Sequence, residues 1–164
     1  VRRAAGAGGA PDTAPSPAPR VNAGLGDTVP LVALERAPCF GSCPVYRVVV
    51  HGDGLVRFDG RRFVADSGAH EARIPAGSVR ALLAAFDATP FATADSAYVD
   101  GPECGAVMTA APSLTLTRWT DGAPRTVHLY QGCSGAPRWI ADLARTVDRF
   151  AGTDRWITAS GATP

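Results

Sequence analysis

Cys39-Phe40-Gly41-Ser42-Cys43-Pro44 is the stretch that most limits what this chain can become. Pro38 and Pro44 bracket the two cysteines and Gly41 divides them, so a helix cannot run through the segment. An apolar run lies on each side, residues 31–36 before it and residues 45–51 after it. The segment therefore reads as a tight corner between two strands. Its spacing also restricts its chemistry. A redox dithiol wants C-x-x-C at a helix N-terminus, where the dipole lowers a thiol pKa, but here the spacing is C-x-x-x-C and a strand follows. A structural zinc site wants paired C-x₂₋₄-C units, whereas Cys104 and Cys133 stand far apart with no histidine in register.

From that corner the chain can be followed outward. Residues 45–51 (Val-Tyr-Arg-Val-Val-Val-His) are β-branched and aromatic, which suits a pleated, half-buried surface. Gly52-Asp53-Gly54 offers hairpin-turn chemistry before residues 55–58 return. Asp59-Gly60 reads as a second turn, ahead of a strand at 62–65 and an edge strand at 69–74. Pro75 opens a helix in which Val79, Leu82, Leu83 and Phe86 fall on one stripe, and Pro90 ends it. Residues 93–112 form a long irregular loop that needs an anchor or a function. Residues 113–119 and 125–130 alternate cleanly about Asp121-Gly122 as a second hairpin. Pro137 starts a second helix with its stripe at Trp139/Ile140, Leu143, Val147 and Phe150, and Gly152 stops it. Trp156-Ile157 is expected to pack the chain end back on the domain.

Tight turns between strands imply an antiparallel sheet, and two one-sided helices would cover one of its faces. The expected fold is α+β, a two-layer sandwich over residues 31–157. Residues 1–30 are rich in Ala, Gly and Pro (Pro11, Pro15, Pro17, Pro19) with almost no large apolar side chain, and read as an extended arm. Residues 158–164 read as a tail.

At 164 residues, 46% hydrophobic and 19% charged, the chain is long enough for one domain with a real core. Its net charge of +1 offers no electrostatic case for nucleic acid. No uncharged stretch approaches the roughly 20 apolar residues of a spanning helix. The sequence begins at Val1 rather than Met, so a processed export signal or a lipid anchor ahead of it stays open. Four cysteines in a domain of this size point to disulfides and an extracytoplasmic compartment; four reduced thiols in a cytosolic protein are the alternative. Of three possible connectivities, the reading favours Cys39–Cys43 and Cys104–Cys133. The first closes a very small ring worth about 2 kcal/mol, and the second a ring of about 30 residues worth about 3–4 kcal/mol. The second would also anchor the 93–112 loop.

The run Glu35-Arg36-Ala37-Pro38-Cys39-Phe40-Gly41-Ser42-Cys43-Pro44-Val45-Tyr46, followed by Gly52-Asp53-Gly54 and Gly60-Arg61-Arg62, resembles an uncharacterised bacterial domain-of-unknown-function family. Its members look like E-R-x-P-C-F-G-x-C-P-x-Y, a strand, a G-D-G turn, then a helix-hairpin-helix tail. Ser113-Leu114-Thr115-Leu116, Gly135-Ala136-Pro137, Ala151-Gly152-Thr153 and Arg155-Trp156 fit that tail. The resemblance spans roughly residues 31–157 and implies domain boundaries, with no activity, cofactor or catalytic residue to carry over.

No convergent acid, base and nucleophile emerges. Gly132-Cys133-Ser134-Gly135-Ala136 approaches a G-x-S-x-G elbow, but Ala136 replaces the last glycine and no histidine follows Ser134. His51, His70 and His128 each stand alone on an expected strand, and Asp53 and Asp59 sit beside glycines as turn residues. The expectation is therefore a protein that is not an enzyme, with no cofactor and no metal. Its leading reading is an accessory or scaffolding subunit on the periplasmic or cell-surface side of a bacterium. It would dock through its arm on other protein subunits of a larger membrane-bound complex, an electron-transfer or photosynthetic one. Interface candidates are Pro11, Pro15, Pro17 and Pro19, with Trp119, Tyr98, Arg61 and Arg62; Trp and Arg are enriched at binding hot spots, and the two arginines stand near Arg57 in a basic cluster. The alternative reading is a periplasmic small-ligand or inhibitor-like domain that uses the 93–112 loop and the sheet face as a pocket.

Overall fold

The computed structural model describes residues 29–158. Of the arm expected over residues 1–30, residues 1–28, with Pro11, Pro15, Pro17 and Pro19, lie outside the described residues, as does all of the tail but Thr158, whereas Pro30 already belongs to the first strand. The cysteine corner separates β1 (Pro30–Arg36) from β2 (Val45–His51), which pair antiparallel with Leu34 opposite Val48. Gly52-Asp53-Gly54 turns the chain into β3 (Leu55–Arg62). Gly54 takes a φ of 83°, and the Asp53 carboxylate accepts the Leu55 N–H at 2.9 Å, which closes the turn.

The turn expected at Asp59-Gly60 does not form. Both residues lie inside β3, and the chain reverses later, at residues 63–67, into β4 (Gly68–Arg73). Gly60 serves close approach instead. A Cβ there would lie 2.6 Å from the Asp66 carbonyl oxygen and 2.9 Å from the Phe58 ring, so only glycine lets the reversal fold back so tightly. The positive φ needed by the turn falls on Phe63, at 52°.

Helix α1 (Ala76–Asp87) follows, then a 3₁₀ turn at Pro90–Ala92. The long loop contains a two-residue strand, β5 (Ala97–Tyr98), a 3₁₀ turn at Pro102–Cys104, and a bridge between Val107 and Cys133. β6 (Ser113–Thr120) and β7 (Ala123–Tyr130) make the second hairpin. Helix α2 (Arg138–Ala151) begins after Pro137 and ends at Gly152 in the left-handed region. A last turn, α3 (Asp154–Ile157), completes the domain.

The seven strands order as β4-β3-β2-β1-β6-β7-β5, all antiparallel neighbours except the β5–β7 pair. One face carries Val32 and Leu34, Tyr46, Val48 and Val50, Val56 and Phe58, Leu114 and Leu116, Val127 and Leu129, all buried. Leu82 and Phe86 of α1 and Ile140, Leu143 and Val147 of α2 pack on it, so the stripes read from the sequence face the core. Each such side chain removed from water contributes about 1.5–3 kcal/mol. Trp156 closes the margin of this layer, stacked on Phe58 at 4.9 Å between ring centroids. The fold is the α+β two-layer arrangement, with the opposite sheet face left uncovered by any described helix.

Candidate functional site

Two disulfides form, Cys39–Cys43 and Cys104–Cys133. Both sit at the same end of the sheet. β1 and β3 finish there, β2 and β6 begin there, and the register of β1 against β6 (Arg36 opposite Leu114) brings the corner beside the long loop. The Phe40 N–H donates to the Ala110 carbonyl at 3.1 Å, and the Met108 N–H to Gly132 at 2.8 Å. The Tyr130 hydroxyl donates to the Met108 carbonyl at 2.7 Å and accepts the Ala111 N–H at 3.1 Å. A disulfide ring, an anchored loop and a tyrosine clip thus hold this end.

What that end displays is apolar. Among the described residues five large hydrophobic side chains are exposed, and four of them, Phe40, Phe63, Val107 and Met108, are here. Phe40 is 92% exposed. The reason is geometric, because a ring of so few residues has no interior in which to hide a phenyl group. The Arg62 guanidinium lies over the Phe63 ring, 5.2 Å from its centroid. This apolar end went unread in the sequence. The signal that could have found it was an aromatic residue placed between two cysteines too close together to enclose it.

The second feature is the uncovered face. Arg47, Val49 and His51 of β2, Arg57, Asp59 and Arg61 of β3, and Glu71 of β4 alternate onto it, with Glu35 of β1 and Thr115, Thr117 and Trp119 of β6. A groove of about 510 Å³ crosses it, running from Pro30, His51 and Trp119 past Val49 to Arg57 and Glu71. Charged residues pair both across and along the strands. Arg57 Nε donates to Glu71 at 3.0 Å, Arg61 Nε to Asp59 at 3.0 Å and Arg61 to Glu35 at 3.1 Å, while Arg47 stands 3.9 Å from Glu35. The bond to Asp59 leads the interactions that raise the Arg61 pKa.

The sequence candidates therefore separate. Arg61 and Trp119 line one groove. The basic cluster divides, because adjacent strand residues point to opposite faces: Arg57 and Arg61 share the open face, whereas Arg62 turns to Phe63. Tyr98 is 8% exposed and belongs to the core, where β5 pairs with β7, so it offers no surface. The histidines stay apart. His51 is buried beside the groove, His70 stacks near Phe58 and Trp156, and His128 Nδ1 lies 2.9 Å from the Thr115 hydroxyl. Among the described residues, no three His, Cys, Asp or Glu side chains come together in a way that would hold a metal ion.

On the covered face a polar constellation ties the sheet to α2. Arg36 of β1 and Tyr46 of β2 meet Asp148 of α2: Arg36 contacts Oδ2 at 2.6 Å and the Tyr46 hydroxyl donates to Oδ1 at 2.7 Å. Thr153 donates to the same Oδ1 at 2.9 Å. Burial and the neighbouring carboxylate push the Tyr46 phenol well above the ordinary tyrosine range. Burial also disfavours the Arg36 charge, but Asp148 and Tyr46 more than offset it and its pKa is raised. With every group paired, this is a clamp between helix and sheet.

Residues 30–151, from the first residue of β1 to the last of α2, match a family described as a domain of unknown function, DUF6438. The chain belongs to that family. No curated protein matches it. The DUF6438 match thus spans the whole sheet, both main helices and both disulfides, while α3 with Trp156 follows it.

Proposed function

We propose that this DUF6438 domain is a non-enzymatic accessory subunit outside the cytoplasm, docking on a larger membrane-bound protein assembly through the braced end of its sheet. The observation that carries the reading is the display of Phe40, Met108, Val107 and Phe63 together on that end. Water-exposed apolar groups of this size are costly to leave uncovered and are a mark of interaction sites. Their rigidity matters as much as their character. The backbone that carries Phe40, closed in a disulfide ring and hydrogen-bonded to the neighbouring loop, has little freedom left to lose when a partner covers it. Arg62 beside Phe63 adds a residue type common at binding hot spots. Two disulfides favour an oxidising compartment. Among the described residues no helix is long and apolar enough to cross a membrane, so a place on the membrane would come from the partner or from chain outside residues 29–158.

The test is made in the native host, with a photo-crosslinking residue at position 40 and, as control, at position 80 on the outer side of α1. The expected result is a discrete adduct from position 40 alone, co-migrating with a membrane-derived assembly that dissociates when Phe40→Ser is introduced. A protein that runs at its monomer mass, with no adduct from position 40, overturns the reading.

A further inference from the structure

The groove on the uncovered face runs from near the apolar end, at Arg61, to Trp119 at the opposite end of the sheet, and has a different composition. Its volume of about 510 Å³ is within the range of about 300–1,000 Å³ usual for small-molecule sites. Its chemistry narrows the ligand it would suit.

Charge decides most of it. Three guanidinium groups of the groove wall, Arg47, Arg57 and Arg61, stand among the wall carboxylates Asp59 and Glu71 and a third, Glu35, just beside the wall, and each arginine is within 4 Å of a carboxylate. The sum is zero. A phosphate or a carboxylate entering here would gain from each arginine and lose to the acid beside it. A cation would meet the reverse. Neither sign is favoured, which sets this groove apart from a phosphate cradle or a metal site.

What the ladder does offer is alternation of donors and acceptors. A guanidinium carries five N–H donors and no acceptor, and an ionised carboxylate is acceptor only. Arg57 meets Glu71 through Nε, which leaves its terminal amino groups as donors for an incoming molecule. A ligand that matches such a surface needs groups that both give and take hydrogen bonds, at short intervals, without charge. Hydroxyl groups on a sugar ring do this. The other end of the groove supplies the apolar half of the match. Trp119, half-buried beside Pro30 and His51, provides an indole face whose negative quadrupole attracts the polarised C–H groups of a sugar.

We propose that this groove is a carbohydrate subsite, taking a short neutral oligosaccharide with one ring against Trp119 and its hydroxyls shared among the arginines and carboxylates of the ladder. The site is separate from the docking end, and either can fail without the other.

The test uses the full chain with both disulfides formed. Calorimetric titration and the Trp119 indole N–H signal in NMR are followed against cellohexaose, maltohexaose and chitohexaose. Oligogalacturonate and inositol hexakisphosphate serve as anionic comparators. At least one neutral oligosaccharide is expected to bind and to shift the Trp119 signal. Raising the salt should leave its affinity essentially unchanged, because no net charge is screened. Trp119→Ala should weaken binding by about tenfold or more, as loss of a hot-spot side chain does, and Phe40→Ser should not change it. Arg57→Ala, at an exposed pair whose loss leaves the fold intact, should weaken it as well. Binding of the anionic comparators alone, no binding by any of the three neutral sugars at millimolar concentration, or undiminished binding in Trp119→Ala and Arg57→Ala would overturn the proposal.

Discussion

One sheet, two faces, and the same strands build both. Toward the helices, residues 32 and 34, 48 and 50, and 56 and 58 are large, apolar and fully enclosed. On the other side of those same strands stand Glu35, Arg47, Arg57, Asp59 and Arg61, with side chains 43–53% exposed and held in ion pairs. The covered face carries the stability. The open face is largely released from that duty, since exposed ion pairs contribute about 0–1 kcal/mol each, and its residue choice is free to serve recognition. Even the one charged group that helix α2 brings to the covered face differs in kind: Asp148 is fully engaged by Arg36, Tyr46 and Thr153, whereas the open-face arginines keep spare donors.

The comparison can be broken by mutation, beginning where the effect should be greatest. Trp156→Ala opens a void against Phe58 on the covered face and should cost about 3–5 kcal/mol in denaturant unfolding. A loss below about 1 kcal/mol would mean that α3 is dispensable and the layer closes without it. Asp148→Ala comes next. It strands the Arg36 charge and two hydroxyl donors at a site with side-chain exposures near 20%, so about 2–3 kcal/mol should go. The clamp has an alkaline signature too. Because the folded-state pKa of Tyr46 is raised, its contribution is intact below the ordinary phenol value of about 10 and declines as pH rises beyond it. The Tyr46 phenol should resist ultraviolet titration until the fold yields, and Tyr46→Phe should remove that late component. Arg57→Ala on the open face stands last. It should shift unfolding by less than about 0.5 kcal/mol, and a larger loss would show that the ladder is part of the fold's support.

The same contrasts explain how much of the molecule is legible in its residue order. Alternation is a local property, so β2, the β6–β7 hairpin and both helix stripes can be read from the sequence alone. Gly60 cannot, because glycine beside aspartate signals a turn unless one knows that the Asp66 carbonyl needs the space. β5 escapes for a related reason: two residues have no period, and the strand exists only because β7 has a free edge for it. The Cys104–Cys133 pairing is foreshadowed by the long loop's need of an anchor. The site is less legible still. Trp119 and Arg61 stand out by residue type, but their sharing of a groove depends on register, and Phe40 becomes conspicuous only once its ring is closed.

The strand order has a consequence for how the domain assembles. β1 to β4 form one meander of neighbours in sequence, and β6 with β7 forms another local unit, so each is quick to close. They join along a single line, β1 against β6, whose partners Val32 and Arg118 are separated by most of the domain. Closing so long a loop is entropically slow, and such non-local pairing limits folding rates. Neither disulfide spans that line, for Cys39–Cys43 lies wholly before it and Cys104–Cys133 wholly after it. The oxidised chain is therefore two internally stitched halves joined by the main chain alone, with no disulfide between them. What latches them is non-covalent: the β1–β6 ladder and the shared core, with Arg36 to Asp148 and Phe58 to Trp156 fastening α2 and α3 to the first half. A partial unfolding that parts the halves would leave both cross-links untouched, and oxidation alone is no guarantee that the domain is shut.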